Sequence, residues 1–131
     1  MTILPVTLAA CAAAAILNIW LMVRIGAIRQ AAGISVGDGG SEPLERRMRA
    51  QANFVETTPF VLLLVGFIEL AGAGSWWLQW VAGAYIIGRI AHAFGMDGGS
   101  KQIGRMIGTL VTMLTLLGLA VVAALVAAGI I

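Results

Sequence analysis

The sequence contains very few of the residues from which disulfides and many metal sites are built. Its 131 residues include one cysteine and one histidine. Cys11 has no partner within the chain, so an intrachain disulfide is excluded, and a metal site of histidine or thiolate ligands is not expected. Tyr85 is the only tyrosine, so side-chain phenol chemistry depends on that one position.

Charge is also scarce. Charged residues make up 11% of the chain and hydrophobic residues 60%, and the mean hydropathy is +0.99. A soluble domain of this length needs a more polar surface. The composition therefore predicts an integral membrane protein with a single domain over residues 1–131, and no nucleic-acid partner. No basic residue precedes the first apolar run, which favours a retained first span over a signal peptide.

The apolar stretches predict four transmembrane helices in an all-α, up-and-down bundle. The predicted spans cover about residues 3–28, 44–71, 76–94 and 101–131, and glycine-rich connectors separate the first two and the last two. Ser41 and Pro43 suit the cap and the first turn of the second helix. Trp76, Trp77 and Trp80 open the third span and predict an aromatic belt at the membrane surface.

All the basic residues fall at one end of such a bundle, near the first and third connectors. They are Arg24, Arg29, Arg46, Arg47, Arg49, Arg89, Lys101 and Arg105. The positive-inside rule therefore predicts that this end faces the cytoplasm and that both termini lie outside. Among the acidic residues only Glu69 lies towards the other end, where we expect an interfacial position near the end of a helix.

A polar stripe on the second span is the strongest indication of function. Arg46, Arg49, Asn53 and Glu56 are separated by 3, 4 and 3 residues. At about 100° per residue these side chains fall within an arc of roughly 80° on one helix face. Ionisable groups at membrane depth are unfavourable and are found mainly where they bind or react. The stripe therefore predicts one wall of a polar pocket that opens to the cytoplasm.

Polar residues of the other spans are expected to converge on this stripe. They are Arg24 and Arg29 in the first span, Arg89 and His92 in the third, and Arg105, Thr109 and Thr112 in the fourth. Arginine forks bind carboxylates, a glutamate can accept an ammonium group, and amide side chains can bind amides. The pocket thus suits a small zwitterion with excess negative charge, either a peptide-like anion or a lipid headgroup. Against this, arginines near helix ends often extend to lipid phosphates, and a lone histidine is more often packed than liganding.

The second span also resembles a known family. Its motif Glu45-Arg46-x-x-Arg49-Ala50-Gln51-x-Asn53-x-x-Glu56-x-x-Pro59 is similar to the second-helix signature of the MAPEG family, the membrane-associated proteins in eicosanoid and glutathione metabolism. Gly88-Arg89-Ile90-Ala91-His92 is similar to the third helix of that family, and Val36-Gly37-Asp38-Gly39-Gly40 resembles its bacterial branch. The resemblance covers nearly the whole chain.

The resemblance implies a homotrimer in the bacterial inner membrane, with glutathione bound between neighbouring subunits near the cytoplasmic face. The glutathione-binding residues it implies are Arg24 or Arg29, Arg46, Arg49, Gln51, Asn53, Glu56, Arg89 and His92. Arg105 would be catalytic and would hold the thiolate, because a nearby cation lowers the pKa of a thiol. The implied activity is that of a glutathione-dependent transferase or peroxidase acting on hydrophobic electrophiles, which arrive through the membrane lipids.

Some positions depart from the family pattern and keep a second hypothesis open. Thr57, Met96 and Thr109 stand where members of the family have tyrosine, so a tyrosine-assisted mechanism is not expected. The alternative is a non-catalytic lipid- or partner-binding membrane protein of the same fold. A small multidrug exporter is disfavoured, because the first span lacks the acidic residue that such exporters need.

Overall fold

The computed structural model describes residues 1–131 and contains helices and no strands, which confirms the predicted all-α membrane fold. The helices are α1 (Pro5–Ala32), α2 (Glu42–Leu70), α3 (Trp76–Gly95) and α4 (Gln102–Ala127), with a 3₁₀ turn at Gly99–Lys101 before α4. The segments Pro5–Ala32, Glu42–Leu70 and Gly99–Ala127 are long and apolar enough to cross a membrane. The 20 residues of α3 span about 30 Å, close to the thickness of the hydrocarbon core, and that α3 also crosses stays a prediction.

The ends of α1 and α2 follow from local sequence. At the C-terminal end of α1, Gly33 adopts the left-handed conformation, with φ 68°, which is a common way to end a helix. The hydroxyl of Ser41 accepts a hydrogen bond from the backbone nitrogen of Leu44 at 3.4 Å, and Pro43 lies in the first turn of α2. The cap and the proline therefore take the positions predicted from the sequence.

Two small apolar clusters hold the bundle together. One cluster joins α2, α3 and α4 through Val61, Val65, Ile68, Leu78, Tyr85 and Leu119. The other joins α1, α2 and α3 through Ala14, Leu17, Leu21, Phe54 and Ala93. Only 23 of the 131 residues are buried within the chain, so most of the apolar surface is left for lipid or for other protein.

A row of glycines lets α3 and α4 touch backbone to backbone. This glycine seam consists of Gly88 and Gly95 on α3 and Gly104 and Gly108 on α4. A methyl group on Gly104 would lie 2.5 Å from the carbonyl oxygen of Ala91, and one on Gly108 would lie 2.6 Å from that of Gly88. From the sequence, Gly104 and Gly108 form a pair of small residues that permits close helix approach and is only a weak signal for self-association. In the structure they serve packing within one chain.

Glu69, near the end of α2, caps the beginning of α1. Its Oε1 accepts a hydrogen bond from the backbone nitrogen of Val6 at 2.9 Å. Its Oε2 accepts from the backbone nitrogen of Thr7 at 2.8 Å and from Thr7 Oγ1 at 2.6 Å. α1 has no capping side chain of its own and no acid in its first turn. Glu69 therefore satisfies amide groups that a helix start leaves free and places negative charge at the positive end of the helix dipole. It does more than the interfacial position expected from the sequence.

We predict that Gly108→Ala strongly destabilises the fold. The added methyl group would overlap the α3 backbone, and overpacking of this kind costs about 1–3 kcal/mol or more. Gly118→Ala is the matched control in the same helix, because nothing lies within 4 Å of a methyl group at Gly118. There the better helix propensity of alanine should leave stability unchanged or raise it by up to about 1 kcal/mol. Thermal unfolding in detergent, followed by circular dichroism, measures both, and equal midpoints would contradict the close approach at Gly108.

We also predict that Glu69→Gln lowers the free energy of unfolding by about 1–2 kcal/mol, because the amide keeps one acceptor oxygen and loses the charge. Thr7→Val, which removes one of the three hydrogen bonds, should cause a smaller loss. Glu45→Gln is the control for losing one acid elsewhere, since Glu45 is exposed and its interaction with the helix dipole is worth only about 0.5 kcal/mol. An effect of Glu69→Gln no larger than that of the control would show that the cap does not stabilise α1.

Candidate functional site

Arg89 lies at the centre of a buried polar cluster that joins three helices. Its side chain is 2% exposed. Nη2 donates to Oδ1 of Asn53 on α2 at 2.8 Å, and Nη1 donates to Oγ1 of Thr112 on α4 at 3.0 Å. Nδ1 of His92 lies 3.5 Å from Nη2. We call Asn53, Arg89, His92 and Thr112 the inner polar cluster. Of the residues predicted from the sequence, it brings together Asn53, Arg89 and His92.

The glycine seam explains why Thr112 reaches Arg89. Gly108 packs against Gly88 and His92, which brings the next turn of α4 beside Arg89. Thr112 also donates its hydroxyl proton to the carbonyl of Gly108 at 2.8 Å, so its oxygen is free to accept from the guanidinium. Thr112 was expected from the sequence among the polar residues that converge on the α2 stripe, and it reaches that stripe only through Arg89 and Asn53.

The remaining residues of the α2 stripe face outwards. Arg49 and Glu56 are exposed, and neither forms a side-chain hydrogen bond or an ion pair within the chain. Arg46 donates to Glu42 at 2.9 Å and to the carbonyl of Met96 at 3.5 Å. Arg46 and Arg49 line an open groove of about 480 Å³ together with Asp38, Gly40, Glu42, Glu45 and Met96. Here two arginines stand beside three carboxylates, so the groove carries a net negative charge.

Arg24 is already paired, which distinguishes it from Arg29. It forms an ion pair with Asp97 in the α3–α4 connector and donates to the carbonyl of Ala93 at 3.1 Å. Its guanidinium lies 4.9 Å from the ring centre of Trp20 and 5.3 Å from that of Phe94, distances at which cation–π attraction contributes.

Asp97 holds a second arginine as well. Arg47 lies 3.6 Å from the other carboxylate oxygen of Asp97 and donates to the carbonyl of Arg24 at 2.7 Å. Asp97 therefore ties the α3–α4 connector to both α1 and α2. The sequence offered one hint of this role, because Asp97 is the only acid in that connector.

Arg29 and Gln51 lie in a different groove, between α1 and α2. Arg29 donates to the carbonyl of Gly37 at 2.7 Å and lies 3.5 Å from the sulfur of Met48. Gln51 donates to Oδ1 of Asn18 at 3.3 Å. This α1–α2 groove measures about 640 Å³ and is lined by Met22, Ile25, Gly26, Arg29, Met48, Gln51, Ala52 and Val55. It is mainly apolar, with one cation and one amide.

Arg105 stands alone on the outer face of α4. It lines a groove of about 760 Å³ with Gln102, Ile103, Met106, Thr109, Leu110 and Met113, and it forms no ion pair within the chain. The expectation that all these groups line one shared cavity is therefore not met within a single chain. The predicted site residues instead occupy four separate locations. These are the inner polar cluster, the open groove at Arg46 and Arg49, the α1–α2 groove and the outer face of α4 that carries Arg105. No group of three or more histidine, cysteine, aspartate or glutamate side chains could hold a metal ion.

Comparison with known proteins agrees with the four helices and the second-span motif. The model of the MAPEG family matches residues 7–125. The chain belongs to the MAPEG family. Its relatives include the inner membrane protein YecN of Escherichia coli strain K12 and its counterpart in strain O6:H1, each 32% identical over 62 residues. The aligned part is 47% of this chain and 47% of each relative. This MAPEG protein is accordingly a membrane protein similar to a bacterial inner-membrane protein.

The single tyrosine of this MAPEG protein lies away from the outward-facing groups. Tyr85 is 1% exposed, and its hydroxyl lies 2.8 Å from Oγ1 of Thr58 and 3.4 Å from Oγ1 of Thr57. Thr57 in turn donates to the carbonyl of Asn53 at 2.9 Å. Tyr85 therefore supports the helix that carries Asn53 and offers no hydroxyl to the outer surface.

We predict that Asp97→Asn destabilises this MAPEG protein by about 1–3 kcal/mol. The substitution removes the carboxylate that Arg24 and Arg47 share, and a hydrogen bond between charged groups contributes roughly that much to stability. Asp38→Asn is the matched control in the other connector on the same side. Its Oδ1 accepts only from the backbone nitrogen of Gly40, which an asparagine oxygen also does. Thermal midpoints in detergent at low and high salt test this, and equal midpoints for the two variants would contradict a stabilising role for Asp97.

Proposed function

We propose that the chain is a glutathione-dependent membrane transferase or peroxidase that acts on hydrophobic electrophiles, with glutathione bound between subunits on the cytoplasmic side. One observation carries the proposal. Arg49 and Glu56 are exposed on a helix that enters the membrane, and they have no partner in their own chain. Charged groups at that depth need a polar partner, and a second subunit together with a zwitterionic ligand would supply one.

The surface beyond Glu56 favours contact with another copy. The stripe continues as Phe60, Leu63, Phe67 and Leu70, which are between 56% and 65% exposed. From Arg46 to Leu70 the spacing alternates between three and four residues, the pattern of a helix that packs along a second helix. In such a contact the apolar part of the stripe, from Phe60 to Leu70, would be buried against the second copy. The polar part, from Arg46 to Glu56, would stay open for a ligand.

The opposite side of α2 supplies the complementary groups. Gln51 follows Arg49 by two residues, a rotation of about 200°, so it points away from the stripe. Two groups on opposite sides of one helix can meet only across an interface that joins unlike surfaces. Such an interface closes into a ring when the rotation between copies returns to the first copy. We take the number of copies, three, from the resemblance to the family. Arg29 and Gln51 of the partner subunit would then complete the site formed by Arg49, Asn53 and Glu56.

The residue types fit glutathione, which has two carboxylates, one ammonium group and two amides. Arg49 suits one carboxylate, and Arg29 across the interface suits the other, whereas Arg46 beside Arg49 is already paired with Glu42. Glu56 suits the ammonium group. Arg29 is the better candidate for the arginine from α1, because Arg24 is held by Asp97. Arg105 would stabilise the thiolate. In transfer its sulfur would bond to an electrophilic carbon and displace the leaving group of that carbon. In the peroxidase reaction two glutathione molecules would be oxidised to the disulfide while the hydroperoxide is reduced to an alcohol and water.

A non-catalytic lipid-binding protein is the second candidate. Arg105 favours it, because this arginine lies among Ile103, Met106, Leu110 and Met113 on an outer face, a typical setting for an arginine that reaches lipid phosphate. The buried hydroxyl of Tyr85 also leaves the thiol without help from a tyrosine. Under this hypothesis the same arginines would bind a phospholipid headgroup.

Titration of the purified protein in detergent with glutathione separates the two candidates. We expect saturable binding and a thiolate absorbance that Arg105→Ala abolishes. Lys101→Ala, a change to another exposed cation at the same end of α4, should preserve the thiolate. Arg49→Ala should weaken binding about tenfold or more, since one charge-assisted hydrogen bond is worth at least about 1.5 kcal/mol.

The absence of saturable binding, or wild-type thiolate in Arg105→Ala, would overturn the proposal. Native mass spectrometry gives the number of subunits and the bound species in one measurement. Retained anionic phospholipid, together with no conjugation of general electrophiles, would establish the second candidate.

A further inference from the structure

We infer that Arg89 is a positioning residue that fixes Asn53 as a hydrogen-bond donor towards the ligand, an inference that rests on the proposed function. The family resemblance implies that Arg89 binds glutathione itself. At 2% exposure, enclosed by α2, α3 and α4, its guanidinium has no free path to a ligand on the α2 stripe. It contacts that stripe only through Asn53.

The orientation of the Asn53 amide follows from the chemistry of arginine. A guanidinium carries only donors, so the atom of Asn53 that lies 2.8 Å from Nη2 must be the oxygen. The amide nitrogen, Nδ2, then points to the other side of the side chain. Nδ2 has no partner within the chain, and Asn53 is half-buried between exposed Arg49 and exposed Glu56. Two N–H groups are therefore available to an acceptor atom on the stripe.

Thr112 keeps the guanidinium of Arg89 from turning away from Asn53. It occupies Nη1 of Arg89 at 3.0 Å, while Nη2 is directed to Asn53, so the guanidinium plane is fixed between α4 and α2. A rotation that released Asn53 would also break the bond to Thr112. Nε of Arg89 is buried without any partner, so the group is held by its Nη contacts to Thr112 and Asn53, with Nδ1 of His92 at 3.5 Å from Nη2.

The charge of Arg89 adds to the effect. The ion pairs within the chain are Arg24–Asp97, Arg46–Glu42 and Arg47–Asp97, so the buried cation has no acid as partner. In surroundings of low dielectric constant its field reaches the far side of Asn53 with little screening. Both the N–H groups and this field favour a carbonyl or carboxylate oxygen of the ligand at Asn53, and both disfavour an ammonium group there. The ammonium group is therefore directed to Glu56.

Asn53→Asp tests the inference, because it keeps the shape of the side chain and reverses its outward chemistry. The carboxylate gains an ion pair with Arg89, so the thermal midpoint should equal or exceed that of the wild type. The outward-facing atom becomes an acceptor, so glutathione affinity in the titration should fall at least tenfold. Affinity within twofold of the wild type would overturn the inference, as would tighter binding, which would mean that the ligand presents a donor at this position.

Asn18→Asp is the matched control, at the only other asparagine in the chain. Its oxygen accepts a hydrogen bond from the neutral amide of Gln51 at 3.3 Å. A carboxylate at this position therefore gains no ion pair, and the midpoint of thermal unfolding should fall. The two midpoints need no ligand, and they test the inference even if wild-type protein does not bind glutathione and the proposed function fails. If Asn53→Asp lowers the midpoint as much as Asn18→Asp does, the oxygen of Asn53 does not face Arg89, and the inference is wrong.

Discussion

The half of the bundle that carries the basic residues is organised around a guanidinium that is buried without an acid. Burying such a charge is unfavourable unless its hydrogen-bonding groups are occupied. Arg89 meets this need at its Nη atoms, which reach α2 through Asn53 and α4 through Thr112, while Nε stays without a partner. Three helices must therefore keep their relative positions for the charge to remain tolerable. The same contacts fix which atoms of Asn53 face outwards, so a packing requirement also sets which hydrogen-bonding groups that side chain presents.

The two halves of the bundle are held together by different interactions. In the half that contains both chain termini, apolar side chains meet around Tyr85 and Leu119, and Glu69 holds α1 to α2. In the half with the basic residues, hydrogen bonds of arginine replace much of the apolar core, and Asp97 connects α1, α2 and the α3–α4 connector. Hydrogen bonds and ion pairs hold helices together effectively near lipid, because a polar group that loses its partner there finds few others.

The sequence predicted what depends on local pattern. Hydropathy gave the all-α membrane fold, Ser41 and Pro43 marked the start of α2, and helical spacing placed Arg49, Asn53 and Glu56 on one face. It could not predict contacts between distant segments. The capping of α1 by Glu69 joins residues 62 positions apart, and the pairing of Arg24 with Asp97 joins residues 73 apart. Periodicity also cannot tell which faces of four helices meet within one chain, so a single shared cavity was expected where the chain itself forms separate grooves.

The glycine seam has a consequence for motion. Where side chains interdigitate, one helix can rotate or slide past another by changing rotamers, but two backbones in contact have no such freedom. Sliding α4 by one residue would bring Ile103 or Ile107 against the α3 backbone. We therefore expect α3 and α4 to move as one unit, which keeps the position of Arg105 relative to Arg89 constant. The contacts that hold α1 and α2 to this pair of helices are instead side-chain bonds of Asp97 and Arg89, so a separation of helices would begin there and not between α3 and α4.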